Sequence, residues 1–142
     1  MSEHLTNIVV VALIHDEQGR VFVARRAATK ATFPDRFELV GGHLDPGEQP
    51  VEALQREIEE EIGTQVNVGS IVDAFTYESE GVFKVEICYL CTLADPAKQP
   101  VLNAEDHSEA KWITADEIGL IEKEDEETDV LRKAFKLLEE AK

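Results

Sequence analysis

The sequence predicts a mixed α/β fold with mostly antiparallel strands, and three stretches carry that prediction. Ile8 to Ile14 is a continuous apolar run rich in β-branched residues, the pattern of a strand buried on both faces. Gln49 to Ile62 has the periodicity of an amphipathic helix, with Pro50 suited to its first position and Gly63 to its stop. Val66–Tyr77 and Val82–Leu93 read as two long strands around a turn at Glu80-Gly81. This order is not a repeating βαβ, so an all-parallel sheet is not expected.

The remaining elements follow in chain order. Asp16 to Gly19 supplies turn chemistry, and Val21–Ala24 returns as a second strand. Ala27 to Arg36 reads as a loop ending in Phe33-Pro34-Asp35-Arg36, before the short apolar stretch Phe37 to Val40 and the pair Gly41-Gly42. Asp45-Pro46-Gly47 is a second turn cluster. In the helix, Val51, Leu54, Ile58 and Ile62 share one stripe. A polar loop spans Ala94 to Ser108, and Ala110–Ile113 is a last short strand. Thr114 to Glu117 has the form of a capping box. The acidic run Glu122–Asp129 leads into an amphipathic helix carrying Val130, Leu131, Ala134, Phe135 and Leu138. That face packs either on the chain's own core or on a second copy, so a homodimer is a possible assembly.

The 142 residues hold 30 Asp and Glu against 14 Lys and Arg, a net charge of −16. The length suits one domain, expected here over residues 1–142. So negative a chain lacks the clustered cations needed to grip DNA, RNA or an anionic membrane. Met1-Ser2-Glu3-His4 has no signal-peptide form, and the longest apolar run is far too short to span a bilayer. A soluble cytoplasmic protein is expected. Cys88 and Cys91 have Cys-x-x-Cys spacing, but three residues apart in a strand they point to opposite faces. They are expected to be buried small hydrophobes, not a metal or redox pair.

The chemistry concentrates in Gly42 to Gly63. On a helix, Glu57, Glu60 and Glu61 fall within about 100° of arc, beside the apolar stripe. Like charges one turn apart repel, and more strongly near a core, unless a hard cation with oxygen ligands neutralises them. Mg2+ is the natural candidate, and Mn2+ can substitute. Arg56 can hold and orient one of the carboxylates. Glu52 and Glu59 read as solvated surface acids.

This segment resembles the signature of the Nudix (MutT-like) hydrolases, Gly-x5-Glu-x7-Arg-Glu-aliphatic-x-Glu-Glu-x-Gly-aliphatic. Gly42, Glu48, Arg56, Glu57, Glu60, Glu61 and Gly63 stand at its fixed positions and Ile58 at the first aliphatic one. Thr64 replaces the last aliphatic residue, and Val40 stands where many members have proline. The order of elements resembles the family along nearly the whole chain.

The resemblance implies a Nudix-type α/β/α sandwich with a mixed, largely antiparallel sheet. It implies that Glu57, Glu60 and Glu61 hold divalent metal, with a backbone carbonyl of Gly41 or Gly42 as a further ligand. Arg56 and Glu48 would be structural, Arg56 pairing a box glutamate and Glu48 steadying the loop–helix junction. The implied reaction is attack of water on phosphorus in a compound of the nucleoside diphosphate type. The base that takes the water's proton is either Glu57 or an acid of the late loop, with Glu105 and Asp106 ranked ahead of Glu109. By resemblance Arg26 contacts the nucleotide, with Arg25 beside it. His43 is a candidate for the cleft, and Phe75, Tyr77 and Tyr89 are candidates for a base pocket. Lys30 and Arg36 are equally suited to phosphate or to solvent.

The expected activity is cleavage of a nucleoside triphosphate to monophosphate and pyrophosphate, with ADP-ribose or another nucleoside-diphosphate sugar as the alternative substrate. Two rivals belong to other classes. A nucleotide-sensing domain without catalysis commonly loses box glutamates, which this chain retains. An isopentenyl-diphosphate isomerase needs a catalytic cysteine, for which only Cys88 or Cys91 is present.

Overall fold

A computed structural model describes residues 5–30, 34–121 and 126–141. The N-terminal tetrapeptide, Phe33 and the first residues of the acidic run, 122–125, lie outside them. Strand β1 (Thr6–Ile14) is central, with β4 (Val40–His43) antiparallel on one side and β6 (Val82–Leu93) parallel on the other. β5 (Val66–Ser79) completes this sheet antiparallel to β6. A second sheet has β2 (Val21–Arg26) between β3 (Phe37–Glu38) and β7 (His107–Ile113). Helix α1 (Pro50–Ile62) lies between β4 and β5 in the chain, and α2 (Glu126–Glu140) ends it.

The alternation in β1 divides the core in two. Val10, Ala12 and Ile14 pack with Ala53, Leu54, Ile58 and Ile62 of α1. Val9, Val11 and Leu13 pack with Val130, Leu131, Ala134 and Phe135 of α2. The strand is therefore apolar throughout because a helix covers each face, which makes the architecture an α/β/α sandwich. Each fully buried Leu or Ile of α1 contributes about 1.5–3 kcal/mol of transfer free energy. The face of α2 is spent on the chain's own core.

Several boundaries differ from the sequence reading, each for a local reason. Val51 belongs to the apolar stripe by angle but is 40% exposed; periodicity describes a face, not how far along the helix the core reaches. The Gly41-Gly42 pair lies within β4, opposite Val11 and Val10 of β1. β7 begins at His107, so His107 and Ser108 belong to the strand and not to the preceding loop, and Glu109 lies within it. Thr114 forms its capping box, but the segment it starts, Ala115–Leu120, is a 3-10 helix. Glu80 and Gly81 both have positive φ, 53° and 77°, as a tight two-residue hairpin turn requires. Gly63 takes φ 62° to end α1, with its N–H on the Glu59 carbonyl.

Cys88 and Cys91 are free and buried, one in each core. Burial raises both thiols, Cys91 to about 12. Both are expected to resist iodoacetamide at pH 8 in native protein and to react fully once it is denatured. Rapid alkylation of the native chain would contradict this packing. Among the described residues, no helix is long and apolar enough to cross a membrane.

Candidate active site

The loop–helix segment is built around two glycines and one arginine. A Cβ on Gly41 would lie 2.1 Å from the Val10 carbonyl oxygen, and one on Gly42 would lie 2.2 Å from the Glu57 carboxyl carbon. The pair lets β4 lie close to β1 and lets the Glu57 carboxylate approach the strand. Arg56 donates from Nε and Nη2 to both oxygens of Glu48 at 2.8 Å. From Nη1 it reaches Glu57 at 3.1 Å and Glu60 at 3.3 Å, and from Nη2 the His43 carbonyl at 3.3 Å. Glu48 also accepts the Asp45 N–H at 2.9 Å, tying the turn to the helix. With the guanidinium first and the Asp45 amide second, its carboxyl is held down at about 2.

Glu61 is the anomalous acid. Its Oε2 is buried without a hydrogen-bond partner. Burial, then the charges of Glu38, Glu57 and Asp106, push its carboxyl up to about 8, against a hydrogen bond from the Gly41 amide. Burial is also the main cause that raises Glu57, with Arg56 opposing it. Glu60 is more open, its side chain 60% exposed.

A second network stands behind Glu61. Arg26 Nη1 donates to both oxygens of Glu38 at 3.2 Å, and His107 Nε2 lies 3.0 Å from Glu38 Oε2. The register of β2 with β7 shifts between Arg25 and Arg26; such irregularities commonly re-aim side chains. Arg25 lies over the Phe37 ring and 3.8 Å from Glu109, while Arg26 reaches Glu38.

The late loop separates its two acidic candidates. Asp106 takes a 2.8 Å ion pair from Lys30 and bears on Glu61. Glu105 is exposed, its backbone N–H donating to the Asn103 side chain. Lys30 thus meets a carboxylate.

A cavity of about 520 Å3 includes Arg26, Arg36, Glu38 and His43 in its lining, then Phe75, Tyr77, Lys84 and Glu86. Phe75 and Tyr77, the sequence reading's candidates for a base pocket, both line this cavity. Tyr89 does not line this cavity: it is 6% exposed in the α1-side core, because an odd position in β6 faces away from Glu86. Glu38, Glu86 and His107 are missing from the sequence reading. A trace exists for two of them, as Glu38 and Glu86 are charged residues between apolar neighbours inside strands.

The group as a whole fits a hard divalent cation. Glu61 presents an unpartnered buried carboxylate oxygen, and the charges of three further carboxylates, Glu38, Glu57 and Asp106, bear on it. Among the described residues, no three His, Cys, Asp or Glu side chains already converge as ligands. Arg56 instead occupies Glu57 and Glu60.

Residues 5–137 match the NUDIX domain. The chain belongs to the Nudix family. Its Nudix relatives include a nucleoside triphosphatase NudI of Enterobacter sp. (strain 638), 25% identical over 80% of this chain and 86% of that one. A CTP pyrophosphohydrolase of Escherichia coli (strain K12) is 31% identical over 78% of each chain. An isopentenyl-diphosphate Delta-isomerase of Corynebacterium diphtheriae is 31% identical over 70% of this chain and 59% of its own length. The MutT protein from Methanosarcina mazei Go1 has the same fold, with TM-score 0.77 over 99% of this chain and 98% of that one, at 24% identity. The protein is a Nudix hydrolase, an enzyme for phosphorus-containing acid anhydrides.

Proposed function

We propose that the chain is a divalent-metal-dependent pyrophosphohydrolase that cleaves a nucleoside triphosphate to the monophosphate and pyrophosphate. The observation that carries this reading is the buried, unpartnered Glu61 oxygen among Glu38, Glu57 and Asp106, with Glu38 also lining a cavity of about 520 Å3. The triphosphatase and CTP pyrophosphohydrolase relatives support the substrate class.

Glu57, Glu60 and Glu61 would hold Mg2+ or Mn2+, with a Gly41 or Gly42 carbonyl beside them. When bound, the metal would neutralise phosphate charge, polarise P–O bonds and acidify water. Arg56, fixed by Glu48, orients Glu57 and Glu60. Asp106 or Glu57 takes the proton from the attacking water; the place of Asp106 near Glu61 favours it over exposed Glu105. Arg26 and His43 meet the substrate at the box end of the cavity. The isomerase reading is disfavoured because Cys88 and Cys91 are both fully buried, with raised thiols.

The test is phosphate release from a panel of nucleotides with Mg2+ and with Mn2+. Release that needs added pyrophosphatase, from one or a few triphosphates, is the expected result. Release only with alkaline phosphatase, from ADP-ribose or a similar compound, would move the protein to nucleotide sugars. Silence across the panel would overturn the reading.

The glycines offer a paired check. Gly41→Ala sets Cβ against backbone, which cannot swing aside, so a loss of about 1–3 kcal/mol or more in urea unfolding is expected. Gly42→Ala meets first the Glu57 carboxylate, a side chain that can move. It should keep most stability and lose up to about 100-fold in kcat/KM by displacing that carboxylate. Equal effects of the two on stability would contradict the assignment.

A further inference from the structure

We infer that Glu86 reads the base of the substrate, and that the enzyme favours bases bearing an exocyclic amino group over uracil and thymine. This rests on the triphosphate reading above and adds the part of the substrate that reading leaves open.

Glu86 is an unusual residue for its place. It sits in the middle of β6 between Val85 and Ile87, is only 6% exposed, and lines the cavity. A buried carboxylate costs desolvation, which its hydrogen bonds must offset. The Tyr77 hydroxyl donates to one oxygen at 3.2 Å and the Cys88 thiol to the other at 3.4 Å. Both donors are held protonated by burial and by Glu86 itself, so neither takes over its charge. These contacts present the carboxylate in the cavity wall as a fixed acceptor.

The sheet register completes a base-sized surface around it. Phe75 pairs with Glu86 and Tyr77 with Lys84, which puts all four on one face. The Phe75 and Tyr77 rings lie 6.0 Å apart and tilted by 36°, an apolar platform beside an acceptor. The cavity is also polar along its length. Arg26 and His43 lie toward the box, whereas Glu78 and Glu80 lie at the β5–β6 turn. On the triphosphate reading a cation held by the box acids would draw the phosphates to that end, which leaves the base at Glu86.

An ionised carboxylate only accepts hydrogen bonds. Cytosine, adenine and guanine offer it amino N–H groups; uracil and thymine place a carbonyl oxygen there instead. A base carbonyl set against this carboxylate would face another acceptor and lose its own partner in a buried site. The cost corresponds to a preference of about 10-fold to 100-fold.

The experiment compares kcat/KM for CTP, GTP, ATP, UTP and dTTP in the wild type, Glu86→Gln and Tyr77→Phe, with a thermal melt of each. At least one amino-bearing triphosphate should exceed UTP and dTTP by that factor. Glu86→Gln, whose amide can turn to donate to a carbonyl, should shrink the ratio to within about threefold. Tyr77→Phe keeps the ring and removes one of the bonds that fix the carboxylate, so a smaller loss of selectivity is expected. It decides the matter if Glu86→Gln does not fold. A wild type indifferent to the base, or variants with unchanged ratios, would overturn the role of Glu86 and leave the triphosphate reading intact. Absence of any triphosphate hydrolysis would overturn both.

Discussion

Glu61→Gln is expected to lower kcat/KM by about 1000-fold and to raise the melting temperature of the metal-free protein at pH 8. The two effects have one origin. Glu61 carries a buried oxygen without a partner, among the charges of Glu38, Glu57 and Asp106. Without a cation, its charge is a burden on the fold; on the proposed reading, a bound cation would relieve it. The carboxyl ionises near its ordinary 4.5 in the unfolded chain and at about 8 in the folded one. Between those values the folded state keeps a proton that the unfolded state has lost. Stability therefore falls as pH rises, by about 1.4 kcal/mol per unit for this group. Below pH 4.5 the penalty vanishes, and above about 8 it is complete. In EDTA, the melting temperature of the wild type should drop relative to Glu61→Gln between pH 5 and pH 8, and Mg2+ should close the gap. Parallel curves for the two proteins, with or without Mg2+, would refute the assignment.

Glu57→Gln is expected to cost turnover at least as much, about 1000-fold or more, with little change in the fold. Arg56 keeps its bidentate pair with Glu48, which is independent of Glu57. The glutamine can still accept from Arg56 through its carbonyl oxygen. What it loses is charge toward a cation and basicity toward water. Circular dichroism and a melt within a few degrees of wild type, together with lost phosphate release, would meet the expectation. Turnover near the wild-type rate would mean that the box acids do different chemistry.

The architecture and the loop–helix segment were legible because they depend on short-range pattern. The apolar run of β1 demanded cover on both faces, and α1 and α2 supply it. The spacing of Arg56 and Glu60 placed them one turn apart, and Arg56 does reach Glu60 and Glu57, whereas its pair with Glu48, which precedes the helix, follows no helical spacing. Two local features lay beyond that pattern. The Gly pair, given no element by the sequence reading, lies in β4, where the neighbouring backbone at Val10 makes glycine necessary at position 41. Val51 follows the helix period but not the length of the core.

By itself the sequence determined the two-faced central strand, the acid-rich helix beside a buried seam, and the oxygen-rich donor set. These follow from periodicities of two and about 3.6 residues, which each residue carries with it. Only the tertiary structure decided which acids matter beyond the helix. Glu38 and Asp106 stand far from Glu61 in the chain, yet their charges help raise it. Arg26 meets Glu38 where the β2–β7 register shifts. Glu86 meets Tyr77 because a hairpin sets their strands side by side. Electrostatic energy depends on distance and burial, and neither is a property of a residue's place in the chain.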